Sequence, residues 1–280
     1  MQETLMRRRW NVLKLAIYRV VDDGGISMAG AIAYSFLLSL FPFCIFLTAL
    51  AATVGGRELA DAAIHQLFEL APDNVAKALA PEIELVMGRT RYSVLTLGGA
   101  VSLFFATSSI ESLRAGLNVA YGVREGRSFL FCYTQSILFV FATAAGMLTL
   151  TWSVVVGPAL AQARDWQPVL WLLERGLLSP TSRYTMVIAI MLAQLLAYHL
   201  WLAAGRRSIW DVWPGVLLSV ALWLITAWVY SWWLTVSDYS IFYGGLTQLL
   251  TALIFFQFSG VILIFGAEFN RALAEVRTDG

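Results

Sequence analysis

From Tyr239 to Ala267 the chain carries no charged side chain, and the core of that window, Leu246 to Phe265, is dominated by Leu, Ile, Val and Phe. A helix of this length, rising about 1.5 Å per residue, covers the roughly 30 Å hydrocarbon core of a bilayer. A buried helix in a soluble protein seldom stays so apolar and free of charge over that distance. The window is punctuated on both sides. Tyr243-Gly244-Gly245 precedes it, and Gly266-Ala267-Glu268-Phe269-Asn270-Arg271 ends it abruptly in polar groups.

Charge-free windows of the same kind recur at Gly24–Gly56, Tyr92–Ile110, Ser128–Ala163, Tyr184–Gly205 and Val212–Ser237. Together they predict an all-α polytopic membrane protein with six transmembrane helices, at about 29–54, 92–111, 132–158, 184–204, 212–236 and 246–267. Composition agrees: 13% of residues are charged and mean hydropathy is +0.71, whereas soluble domains carry about a quarter charged residues. The net charge of +1 supplies no global attraction to nucleic acid, so no nucleic-acid partner is expected and membrane lipids are. Cys44 and Cys132 lie in or beside apolar runs and read as packing residues.

Residues 1–28 form the first unit. Met6, Trp10, Leu13, Ile17 and Val20 recur at helical spacing, with Arg7, Asn11, Lys14 and Tyr18 on another face, which predicts an amphipathic helix at the membrane surface. Arg7, Arg8 and Arg9 beside Trp10 suit anionic headgroups. Asp22-Asp23-Gly24-Gly25 breaks that helix; adjacent acids before a Gly pair mark a helix end more readily than a metal site. Pro42 falls near the middle of the first span, where it removes one backbone hydrogen bond. The connection from Arg57 to Arg91 has Leu59, Ala63, Leu67 and Leu70 at helical spacing, then Pro72 and Pro81, predicting short surface helices. Gly157-Pro158 marks the expected end of the third span. Residues 271–280 form a short tail.

Orientation follows from Lys and Arg on alternate sides. Arg7, Arg8, Arg9, Lys14, Arg19, Arg114, Arg124, Arg127, Arg206, Arg207, Arg271 and Arg277 fall on the side of the termini, against Arg57, Lys77, Arg89, Arg91, Arg164, Arg175 and Arg183 on the other. The positive-inside rule therefore predicts cytoplasmic termini. Trp201, Trp210, Trp213, Trp232 and Trp233 sit where spans four and five are expected to meet headgroups.

On this topology spans two, four and six end on the cytoplasmic side, so their polar ends can meet. Glu111, Arg114 and Asn118, at i, i+3 and i+7, share one helix face. An ionised group at the hydrocarbon edge is costly unless paired, which predicts a network of Glu111, Arg114 and Glu268. Its role is either to fasten helix ends or to bind an anionic lipid headgroup, with Arg114 holding the headgroup and Glu111 or Glu268 orienting it. Tyr34, Gln194 and Gln248 are the expected lining of a path, Gln248 sharing a face with Thr251 and Ser259. Polar residues in spans also serve simply as glue between helices. His199 is the one intramembrane side chain with an ordinary pKa near neutrality, yet it lacks a nearby carboxylate partner. Enzymatic templates are missing: the two histidines, His65 and His199, make no zinc pattern, and no phosphate-cradling Gly-rich loop or Gly-x-Ser-x-Gly elbow is present. No catalytic residue, metal or cofactor is therefore expected.

Several stretches, taken in order, resemble the YihY/BrkB family of bacterial inner-membrane proteins. They are Ala31-Ile-Ala-Tyr-Ser-Phe-Leu-Leu-Ser-Leu-Phe-Pro42, Ser112-Leu-Arg-Ala-Gly-Leu-Asn118 with Tyr121-Gly122, Asp211-Val-Trp-Pro-Gly215, Tyr243-Gly244-Gly245 and Gly266-Ala-Glu-Phe-Asn270. Two departures are visible, a Gly-Gly after Tyr243 and Ala-Tyr after Val119. The resemblance implies six helical spans, cytoplasmic termini and an inner-membrane location. The family has carried ribonuclease BN and virulence labels, and neither comes with a catalytic motif that maps here. The functional expectation is a non-ATP-driven transporter or flippase-like protein for a lipid or other amphipathic envelope molecule. A membrane scaffold or envelope-integrity factor is the alternative, and a ribonuclease the disfavoured one.

Overall fold

The computed structural model describes residues 2–40, 42, 91–151, 180–236 and 246–278. Cys44, His65, the short helices expected in the first long connection, Gly157-Pro158 and Tyr243-Gly244-Gly245 lie outside the described residues. Within them the chain is helical, with no strand. The helices are α1 (Gln2–Asp22), α2 (Gly25–Leu40), α3 (Arg91–Ala120), α4 (Phe129–Thr151), α5 (Pro180–Ala197), α6 (Ile209–Val236) and α7 (Leu246–Thr278), with a π-helical turn, Tyr198–Leu202, continuing α5.

Segments in α4, α5 with its π turn, α6 and α7 are long and apolar enough to cross a membrane, and a fifth candidate is the pair α1–α2, bent by 64°. Four or five candidate spans among the described residues make this an all-helical membrane protein. The six expected from sequence also draw on residues of 29–54 outside the described set and on α3, which is not among the four. α3 and α7 run on well past the charge-free windows, to Ala120 and Thr278. Their polar last turns stay helical because other helix ends pack around them.

α7 is the centre of the packing, meeting α6, α1 and α3. The α6–α7 approach depends on glycines. A Cβ on Gly215 would overlap the Gly266 carbonyl oxygen, and one on Gly266 would overlap the Ser219 hydroxyl. Small residues let backbones come this close, which gains dispersion where water exclusion supplies no force between helices. Further out along this seam Trp223 Nε1 donates to Ser259 (3.2 Å), and Tyr230 donates to the Thr251 carbonyl. The face of α7 carrying Thr251, Phe255 and Ser259 is thus a helix–helix seam, with Phe255 against Trp223 and Tyr230. Gln248 lies seven residues before Phe255, on the same helix; its side chain is outside the described residues.

Val12, Ala16 and Val20 of α1 are buried, and Val12 and Ala16 pack with Ala272 of α7. Ile17, on the face expected to be apolar, points outward with Tyr18 and Val21. That outward face is apolar, as contact with lipid requires. The side chains of Arg7, Arg8, Arg9 and Trp10 are outside the described residues. Trp201, Trp210 and Trp232 are exposed, which suits interfacial aromatics.

Candidate functional site

The last turns of α3 and α7, the first turns of α4 and α6, the π turn and the α1–α2 corner converge on one rim of the bundle. Four clusters of polar side chains meet there.

The first is centred on Arg114, which is 3% exposed. Its Nη1 donates to both Glu111 oxygens (2.6 and 2.7 Å), and its Nη2 donates to the Cys132 carbonyl (2.7 Å), Ser136 Oγ (2.8 Å) and Gln135 Oε1 (3.2 Å). Ser136 donates in turn to Glu111 (2.8 Å). Both terminal nitrogens are therefore committed to protein groups, and Nε is buried without a partner. This fork ties α3 to α4, a use for which a planar guanidinium with several fixed donors is suited.

The second cluster clamps the end of the π turn. Asn118, buried, accepts from the Ala204 N–H (2.7 Å) and donates to Glu125 (3.1 Å). Arg127 donates to the Leu202 carbonyl (2.8 Å) and the Trp201 carbonyl (3.1 Å), and Gln135 donates to Trp201 as well (2.9 Å). A helix end leaves carbonyls without intrahelical donors, and a cation placed there satisfies them. Arg127 also pairs with Glu125 (2.6 Å), and hydrogen bonds from Arg127 hold the Glu125 carboxyl down at about 2 from an ordinary 4.5. A depressed carboxylate contributes stability that is present above its unfolded-state value and lost as pH falls toward the folded one. The melting temperature should therefore drop more between about pH 6 and about pH 3 in the wild type than in Glu125→Gln. Equal drops in the two proteins would show that the clamp does not bear on stability.

The third cluster joins Tyr121, His199, Arg207 and Asn270. The Tyr121 hydroxyl lies 2.6 Å from His199 Nδ1, and the Arg207 guanidinium lies 3.6 Å from the centroid of the Tyr121 ring, a cation–π contact. Asn270 accepts from the Gly215 N–H (2.7 Å) and donates to the Val212 carbonyl (2.9 Å) and to the Tyr121 hydroxyl (3.3 Å). Burial pushes the Tyr121 phenol up to about 12. Burial also lowers Arg207, which no carboxylate accompanies among the described residues.

The fourth cluster is the α1–α2 corner against α7. Arg19 pairs with Glu275 (2.7 Å), and Arg271 reaches Asp23 (3.5 Å), Glu275 (3.4 Å) and Glu268 (4.0 Å). Glu268 is fully buried, and among the described residues neither of its oxygens has a hydrogen-bond donor.

The expected network of Glu111, Arg114 and Glu268 is thus corrected. Arg114 keeps Glu111, three residues before it on α3, whereas Glu268 faces Arg271 and the α1–α2 corner. The reason is register: Arg114 points from α3 toward α4, on the side away from the corner that Glu268 occupies. Gln194 donates to Thr143 (2.8 Å) and Tyr198 (2.6 Å) at the α4–α5 seam, away from the rim. Tyr34 is exposed on α2. Among the rim residues that the sequence reading of the site does not name are Tyr121, Arg127 and Arg207. Charge counting alone could not separate Arg207 from Arg206, because only the fold turns one of the two onto an aromatic ring.

A Bacillus subtilis (strain 168) protein described as "Putative ribonuclease-like protein YfkH" is 27% identical over 270 residues, covering 93% of this chain and 94% of its own. No solved structure matches. The family model described as "Virulence factor BrkB" matches residues 16–280, nearly the whole chain, from the last turns of α1 onward. This membrane protein belongs to the BrkB family.

Proposed function

We propose that the protein is a transporter or flippase-like protein that moves a lipid or another amphipathic envelope molecule without ATP hydrolysis, in the bacterial inner membrane with both termini cytoplasmic. The observation that carries this reading is the trio Thr143, Gln194 and Tyr198. Their side chains hydrogen-bond to one another, at 2.6 to 2.8 Å, inside two segments apolar enough to cross a membrane. The flanks of the same helices expose Leu138, Phe141 and Ile188. A polar seam with apolar flanks is the environment an amphipathic molecule follows, headgroup inside and chains outside. The π turn at the end of α5 adds a place where helical register can shift, a frequent property of such turns at working sites. Gln194 lines the path in this reading, with Tyr34 and Gln248 as further lining residues.

The test is reconstitution into vesicles carrying a trace of fluorescent phospholipid, followed by a membrane-impermeant reductant that bleaches only the outer leaflet. Bleaching should pass beyond the outer-leaflet share with wild-type protein and slow with Gln194→Leu. Bleaching identical to protein-free vesicles, for anionic and zwitterionic labels alike, would overturn the transport reading in favour of a scaffold. The scaffold reading draws on the rim, where Arg114 and Arg127 spend their donors on fastening helix ends. The word ribonuclease belongs to the name of the Bacillus relative. Among the described residues no three His, Cys, Asp or Glu side chains gather as metal ligands, and hydrolysis of a phosphodiester calls for such a group or an acid–base pair.

A further inference from the structure

The hydrogen bonds of the third rim cluster can be followed to their end, and they end on donors. Asn270 accepts from the Gly215 N–H through Oδ1, which fixes its amide orientation and makes Nδ2 the atom facing Tyr121. The Tyr121 oxygen therefore accepts from Asn270, and its own proton is free to go to His199 Nδ1, 2.6 Å away. A neutral imidazole that accepts at Nδ1 carries its proton at Nε2. That Nε2–H is buried with no acceptor, on a side chain that is 0% exposed. Arg207, stacked on the same tyrosine, likewise has Nη1 buried without an acceptor.

Two buried donors beside one aromatic ring, one of them on a permanent cation and neither facing a carboxylate among the described residues, lack the same thing: an anionic oxygen. A buried donor left unpaired is costly, and a cation held away from acids more so, so the arrangement is poised to gain by taking up an acceptor. A carboxylate on the protein would have neutralised it, as Glu111 does for Arg114 and Glu125 for Arg127. Among the described residues Arg207 has no such partner. Arg207 itself lies in the Ala203–Ser208 connection, where Gly205 and Arg206 are exposed.

We infer that Tyr121, His199 and Arg207 form a binding site for a phosphate-class oxyanion at the rim of the bundle. Arg207 supplies charge and a forked pair of donors, His199 a neutral N–H that fixes orientation, and Tyr121 the platform that holds both. The site takes either a soluble phosphate or the terminal phosphate of a lipid headgroup, since the same donors serve both. It stands whether or not the protein translocates lipid.

Binding is measured by calorimetry on the full chain in a neutral detergent, with inorganic phosphate in one arm and dioctanoyl phosphatidic acid in the other, and dioctanoylglycerol as the phosphate-free control. Saturable binding is expected in at least one arm and not with the control. Arg207→Gln should weaken it at least about tenfold, the scale of losing a charge-assisted pair, while Arg206→Gln leaves it unchanged. Arg207→Lys, which keeps the charge without the fork, should fall between. If Arg207→Gln does not yield folded protein, the comparison of Arg207→Lys with Arg206→Gln decides. Binding to phosphatidic acid alone assigns the site to a lipid headgroup, and binding to inorganic phosphate, with or without binding in the other arm, assigns it to the anion itself. The inference is overturned by no saturable binding in either arm, or by equal affinities in wild type and every Arg207 variant. Because no leaflet transfer is read, a failure here leaves the transport proposal standing, and a failure of the bleaching assay leaves this site standing.

Discussion

Arg114→Ala lowers the unfolding free energy by about 3 kcal/mol, the low end for breaking a buried ion pair, since Glu111 is a third exposed and can be rehydrated in part. The loss has two sources. The Glu111 carboxylate loses both of its Nη1 bonds, and the Cys132 carbonyl and Ser136 hydroxyl lose the donor that held the first turn of α4 against α3. Arg114→Lys should recover less than half of the deficit, because a single ammonium on a flexible stem cannot serve Glu111, Cys132 and Ser136 together. Chemical or thermal unfolding in detergent reads the difference. A variant as stable as the wild type that nevertheless lost a co-purified anionic lipid would return Arg114 to the role of headgroup anchor and remove it from that of helix fastener.

A comparable loss, at or above about 3 kcal/mol, is expected from Gly215→Ala. Overpacking ordinarily costs about 1–3 kcal/mol because neighbouring side chains can move aside. Here the obstacle is the Gly266 carbonyl oxygen, part of the α7 backbone, so the helices themselves must separate. Separation would also stretch the bond from the Gly215 N–H to Asn270, and through Asn270 the hold on Tyr121. Gly266→Ala meets the Ser219 hydroxyl first and the Gly215 carbonyl at 2.9 Å second. Pairing it with Ser219→Ala should therefore recover part of its loss, while the same partner leaves Gly215→Ala unimproved. Gly126→Ala, whose Cβ would meet nothing within 4 Å, serves as the neutral reference. Wild-type melting for Gly215→Ala would show that the α6–α7 approach is looser than these contacts require.

How far the candidate site can be read from sequence differs residue by residue. Glu111, Arg114 and Asn118 announce themselves by spacing, since i, i+3 and i+7 must share a helix face, and all three do lie at the rim. Spacing along one helix says nothing about which neighbour that face meets. Arg114 turns toward α4 and Glu268 toward the α1–α2 corner, so the three-membered network divides into two clusters. Asn118, on that shared face, spends its amide on Ala204 and Glu125. Arg207 is the opposite case. As one of two adjacent arginines after span four it looked like topology charge, and its stacking on Tyr121 depends on a π turn and a loop that bring positions 86 residues apart together.

Helicity, apolar length and membrane class were determined by the sequence alone, because each depends on local sums: the run of uncharged side chains, the rise per residue and the cost of an exposed peptide group in hydrocarbon. Which arginine is neutralised and which is left over was decided only by the tertiary structure. A charge's partner is set by distance across helices, and those distances follow from close backbone contacts such as Gly215 with Gly266, which no periodicity along the chain encodes.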